Sequence, residues 1–228
     1  MRQIIIGLLT LFCFSITFGQ TKINSNLKKE LDSIYSVDQK YRELLFSDVF
    51  KTKTDSIADS YKISPNKLPS YLMNTMQKVD SSNMTRIEQI LNQYNYPGKS
   101  LVGTPTNEAA FYVIQHSQNI DKYLPVIKEA ADKKELPFKL YAMMLDRSLM
   151  DNGKEQIYGT QGIGFQITNP QTGKKESKMI IWPIKNSTTV NKKRKKAGFD
   201  QTVEDNAKRL GIDYKALTLQ EVKSMKGQ

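Results

Sequence analysis

Leu27, Leu31, Ile34, Asp38, Tyr41 and Leu45 follow one another at intervals of four and three residues. That period brings side chains to one face of an α-helix and of no other regular element. The spacing therefore predicts an amphipathic helix over residues 24–46. One member of the stripe is out of character. Asp38 puts a carboxylate on the apolar face, and Arg42 stands one turn later, where Asp and Arg side chains meet.

The same period recurs along the chain. Met84, Ile87, Leu91 and Tyr94 mark a second helix, begun by a Thr85–Glu88 capping box or earlier by Asp80 or Ser82. Tyr96-Pro97-Gly98 ends it. Between these two helices, residues 48–67 are rich in Ser, Thr, Lys and Asp and read as a polar connection with room for a short helix. Thr104-Pro105 resembles an N-cap and first turn, and residues 109–114 are apolar on every side, as in a helix through the centre of a core. A helix to about residue 133, with Leu124, Ile127 and Ala131 inward and Pro125 near its start, comes next. Pro137 then opens another, with Phe138, Tyr141, Leu145 and Leu149 inward and Asn152-Gly153 closing it. Beyond that the texture changes. Residues 162–168 and 179–184 are short and β-prone, separated by a loop with Pro170 and Gly173, and predict a hairpin. From Asn191 the chain is basic and helical in two or three short pieces. No internal repeat is present. The expected class is mainly α (α+β), a single helical domain over residues 20–228 with a small β-hairpin towards the C-terminus.

The N-terminus carries an address. Arg2 precedes an apolar run from Ile4 to Phe14, and Thr17-Phe18-Gly19 offers small residues for cleavage before Gln20. This is the layout of a secretory signal peptide over residues 1–19, and the run is shorter than the roughly 20 residues of a spanning helix. Cys13 lies inside that apolar core, with Phe12 before it where lipid attachment wants a small residue. The expectation is an exported protein, periplasmic or extracellular, with no cysteine and no transmembrane span after cleavage. Lone Cys and His residues exclude the common zinc sites and any intrachain disulfide framework, while an all-carboxylate Mg or Ca site stays open. No metal ligand set and no cofactor is assigned.

The net charge of +11 is unevenly spread. Residues 171–228 hold 14 Lys and Arg against 6 Asp and Glu; residues 1–170 hold 20 against 17. Lys192-Lys193-Arg194-Lys195-Lys196 is the densest run. After export no nucleic acid is expected to meet it, and the scattered aromatics give no stacking platform. An anionic envelope ligand or protein is a candidate partner, and an ordinary solvated face is the plainer reading.

Several polar residues sit where apolar ones are expected: Asp38, Gln115, His116, Asp146, Arg147, Gln156, Tyr158 and Gln161. His116 follows the most apolar helix, and an imidazole beside a carboxylate can move protons near neutral pH. Asp146 or Asp38 could be that carboxylate, and the fork of Arg147 could hold an anion. The plainer alternative is a structural network: Asp38 with Arg42, Arg147 with Asp151, and His116 capping its own helix.

Asp38-Gln39-x-x-Arg42, Asn83, Pro97-Gly98, Gln115-His116, Asp146-Arg147 and Gln156-x-Tyr158-Gly159-Thr160-Gln161 together resemble a bacterial domain family of unknown function. The resemblance spans residues 27–199, with Tyr96 where that family often carries Trp. It implies a shared fold and one shared polar cluster, to which Gln39 and Arg42 are added, and it implies no reaction. The glycines at 159, 162 and 164 lack the Gly-Lys-Ser/Thr of a phosphate loop. Ser25-x-x-Lys28 and Ser64-x-x-Lys67 lack the partner motifs of penicillin-recognising enzymes. Two functions follow as expectations. One is an envelope module that binds a partner or small ligand in the polar cluster. The other is a hydrolase with His116 as acid/base, Asp146 or Asp38 orienting it, and Arg147, Tyr158 and Gln161 holding substrate.

Overall fold

The computed structural model describes residues 22–118, 120–168 and 173–226. The expected export signal lies outside them. Within them the chain is mostly helical, with one antiparallel hairpin near the C-terminus. No helix of the described residues is long and apolar enough to cross a membrane.

Helix α1 (Ser25–Leu45) forms where its period predicts, and the Asn24 side chain caps it by accepting from the Leu27 N–H. The polar connection is more ordered than its composition suggests, folding into α2 (Asp48–Thr52) and α3 (Thr54–Ser60). Ala58 of α3 is buried with Leu68 and Leu72 of the next helix in a small apolar cluster of its own. That next helix, α4 (Leu68–Tyr94), starts well before the expected capping residues. Pro69 falls in its first turn, where the missing N–H costs nothing, so the proline marks a beginning rather than a break. Thr85 caps nothing; mid-helix, its hydroxyl donates to the Ser81 carbonyl.

A short α5 (Lys99–Val102) and a 3₁₀ turn lead into α6 (Ala109–Ile114). Five of the six residues of α6 are buried, as an all-apolar helix requires. Helix α7 (Leu124–Asp132) carries Pro125 in its first turn and buries Ile127, Ala130 and Ala131. Helix α8 (Phe138–Asp151) departs from its expected face. Phe138, Tyr141, Leu145 and Leu149 are only half-buried, whereas Leu140, Ala142, Met144, Asp146 and Ser148 are fully buried. The helix is covered on two sides: Leu140 and Met144 join the main core, and Asp146 faces the loop that follows the helix.

Leu31, Ile87, Ile90, Phe111, Ile114, Ile127 and Met144 meet in that core, drawn from α1, α4, α6, α7 and α8. Each contributes roughly 1.5–3 kcal/mol by leaving water. The hairpin pairs β1 (Gly162–Thr168) with β2 (Lys175–Ile181), from Gly162 opposite Ile181 to Thr168 opposite Lys175. The second strand begins earlier than expected because its first half is exposed and polar; only Ile180 and Ile181 are buried. Ile184 instead forms an isolated parallel bridge with Gln156. Three short helices close the chain: α9 (Val190–Lys196), α10 (Val203–Arg209) and α11 (Leu219–Lys226). They pack on the hairpin through two apolar clusters, one around Val190, Val203 and Ile184, the other around Trp182, Leu217 and Val222.

Candidate functional site

The polar residues picked out by sequence do not form one cluster. Most of them fall into two, built from different elements.

The first joins α1, α4 and the end of α6. Asp38 is buried where the apolar stripe of α1 places it. Its Oδ2 accepts from Gln39 Nε2 at 2.7 Å. Arg42 Nη1 donates to the Asp38 carbonyl at 2.7 Å and lies 3.4 Å from the carboxylate. The other arm of the same guanidinium, Nη2, reaches Asp80 Oδ2 on α4 at 2.6 Å. Arg42 thus bridges two carboxylates from two packed helices. His116 approaches from beyond α6, with Nδ1 3.4 Å and 3.3 Å from the two oxygens of Asp38. Of the two carboxylates considered for this ring, the one beside it is Asp38. Capping of its own helix by His116 is not observed; Gln115 holds the C-cap position.

Sequence names Asp80 only as a possible helix start, yet a signal for a site residue existed. Counting back four residues from Met84 along the α4 stripe lands on Asp80, a second carboxylate on a helical apolar face.

This cluster opens on a cleft of about 570 Å³ lined by Asp80, Met84 and Glu88 of α4 and by Val113, His116 and Ser117 among others. Among the described residues the lining holds two carboxylates and no Lys or Arg, in a chain of net charge +11. Glu88 is engaged by Lys122 at 2.6 Å and by the Tyr123 hydroxyl, and these bonds hold its carboxyl below the usual range. Asp80 Oδ1 and Ser117 Oγ are different: both atoms are buried, and neither has a hydrogen-bond partner among the described residues. Asp38, Asp80 and His116 bring one potential ligand atom each to within 4.8 Å of one another, the spacing of a metal site. Arg42 already stands between the two carboxylates, so a divalent ion there has to displace a guanidinium that satisfies both.

The second cluster mounts the loop that follows α8. Asp146 is fully buried and accepts from the backbone N–H groups of Ile157, Tyr158 and Thr160 and from the Thr160 hydroxyl, at 2.7–3.1 Å. Burial pushes its carboxyl up despite these bonds. Gln156 is equally buried. Its amide donates to the Gln161 and Trp182 carbonyls, and its oxygen accepts from the Gln161 N–H. Arg194 Nη1 donates to the Tyr158 carbonyl at 2.8 Å, and Asn206 Nδ2 to that of Gly159 at 3.0 Å. Asp146 and Gln156 are therefore spent on the loop itself. Gln161 donates to the Met143 carbonyl and the Thr160 hydroxyl, and the Tyr158 ring tilts against Phe199.

Arg147 belongs to neither cluster; it is exposed, 3.9 Å from Asp151. Gln115 is half-buried. Among the five residues of the basic run, Arg194 is turned inward and buried, which no count of charges indicates.

The family of unknown function DUF6624 matches residues 52–218. The chain belongs to that family. The matched stretch holds His116, Asp80 and the whole loop cluster, while Asp38 and Arg42 precede it. No curated protein and no solved structure matches the chain.

Proposed function

We propose that this DUF6624 protein is a small-ligand-binding protein whose site is the cleft between α4 and the end of α6. Its ligand is a compact polar molecule that presents an amine or another hydrogen-bond donor. The observation that carries this reading is a pair of buried oxygens without a partner among the described residues, Asp80 Oδ1 and Ser117 Oγ, in residues that line the cleft. Buried polar atoms find partners in native proteins, and a cleft beside them is where a ligand supplies one. Arg42 and Lys122 already pair the two lining carboxylates, so selection rests on the free Asp80 Oδ1, an acceptor that a ligand amine or other donor satisfies. Exported by the signal read in residues 1–19, the protein meets its ligand in the periplasm or outside the cell.

Saturation-transfer NMR of the purified protein against amino sugars, amino acids and polyamines tests this, with the corresponding deaminated alcohols and acids as controls. Amines bind, their controls do not, and Asp80→Asn weakens binding by about tenfold. Unchanged affinity in that variant places the ligand elsewhere.

One observation favours a second, catalytic reading. His116 Nδ1 faces Asp38, Nε2 has no hydrogen-bond partner among the described residues, and the residue lines the cleft. An imidazole oriented by a buried carboxylate is the arrangement of a general base that activates water. In this reading Asp38 takes the orienting role, and Arg147, Tyr158 and Gln161 hold no substrate. Turnover of a bound amine-bearing ester or amide, lost in His116→Ala with binding retained, marks an enzyme; binding without turnover marks a receptor.

A further inference from the structure

A second cavity, of about 450 Å³, has the opposite lining. Lys139 of α8, Arg194 of α9 and Arg209 of α10 reach it, against the single carboxylate of Asp200. Leu140, Met143 and Phe199 give it apolar wall.

Arg194 is the unusual member. Only 3% of it is exposed. Nε donates to the Gln201 carbonyl and Nη1 to that of Tyr158, both at 2.8 Å, and the guanidinium stacks 4.5 Å from the Phe199 ring centroid. Its hydrogen-bond partners are thus neutral carbonyls, and no carboxylate of the described residues stands within ion-pairing distance, although Asp146, Glu204 and Asp205 act on it from further away. Desolvating a cation without a counter-ion is costly, and buried Arg residues are ordinarily paired for that reason. Nε and Nη1 are taken, and Nη2 makes no hydrogen bond with the described residues, in a side chain that lines the cavity. Lys139, half-buried and lining the same cavity, has no hydrogen-bond or ion-pair partner among the described residues either. Arg209 spends one nitrogen on Asn206 Oδ1, at 2.9 Å.

We propose that this cavity is a second binding site, for a small organic oxyanion. Arg194 is the buried anchor for its phosphate or carboxylate group, Lys139 and Arg209 complete the charge, and Leu140, Met143 and Phe199 receive an apolar body. The ligand supplies the directly bonded counter-ion that Arg194 lacks among the described residues, where Asp146, Glu204 and Asp205 act only from further away. The site is independent of the carboxylate-lined cleft and takes ligands of opposite sign.

Isothermal titration of the purified protein with phenyl phosphate, inorganic phosphate and benzoate tests the proposal and separates the two oxyanions. At least one arylated anion binds saturably and more tightly than inorganic phosphate. Phenyl phosphate ahead of benzoate assigns a phosphate ligand, and the reverse order a carboxylate. Arg194 also holds the loop, so the variants are made at its neighbours. The double variant Lys139→Met/Arg209→Met weakens binding by about tenfold or more. Lys192→Met/Lys196→Met, which removes two exposed charges from the same basic run, leaves it within about twofold. Asp80→Asn leaves it unchanged. No saturable binding of any of the three anions overturns the proposal. So does an equal loss in the two double variants, because attraction is then to diffuse surface charge.

Discussion

Asp38 and Asp80 share an unusual position: each occupies an apolar stripe of a long helix, and the two helices pack together. Arg42 makes this tolerable by holding both. Replacing it with Met leaves a fully buried carboxylate facing another across the helix interface. Arg42→Met is accordingly expected to lower unfolding free energy by about 3–5 kcal/mol in urea titration. Asp146→Ala strands three backbone N–H groups and should cost about 2–4 kcal/mol; a loss below 1 kcal/mol contradicts its role as the mount of the loop. Much of this was legible in the residues themselves. A charge on an apolar stripe announces Asp38, and Arg42 at the next turn announces its partner. What sequence could not show is that Asp146 and His116 serve separate clusters. Both follow apolar helical segments, and only the path of the loop from Gln156 to Gln161, which wraps Asp146, decides which of the two carboxylates the imidazole meets.

Helices were legible wherever burial was one-sided, because a single stripe then reports a single face. That holds for α1 and α7. It fails for α8, whose two covered faces blur the period, and for the start of α4, where proline signals an ending or a beginning with the same residue. The β2 strand was misplaced for a related reason: only its last two residues are buried, so alternation has nothing to report along the rest. The loop after α8 makes its own demand on the backbone. Gly159 has φ +66°, and a Cβ there meets Ile184 Cδ1 and Val203 Cγ2 at 2.7 Å. Gly159→Ala therefore combines a strained backbone with overlap and should destabilise by about 1–3 kcal/mol. Faster amide exchange at Tyr158 and Thr160, with α1 unaffected, would locate the damage in the loop.

Across the molecule, charge is segregated more finely than the split between residues 1–170 and 171–228 indicates. A carboxylate-lined cleft and a cation-lined cavity coexist in a chain of net charge +11. Tyr112, on α6, ties its stability to alkaline pH. Burial, with Glu108 and Tyr35 nearby, pushes its hydroxyl up to about 12. A value raised in the folded state contributes stability that is complete below the unfolded value near 10 and is lost as pH rises through 12. Stability measured by urea titration should thus fall between about pH 10 and 12, and Tyr112→Phe should flatten that decline.

The mounting of the Gln156–Gln161 loop has a consequence in time. Its carbonyls at Tyr158 and Gly159 receive their donors from Arg194 and Asn206, 36 and 47 residues further along the chain. A ribosome that has just released α8 has made the carboxylate that gathers the loop from one side, but not the guanidinium and amide that hold it from the other. Those two bonds wait until α9 and α10 have emerged and docked, so a later part of the chain completes a turn begun long before it. Truncation before α9 should then be felt first at Tyr158, far upstream of the cut.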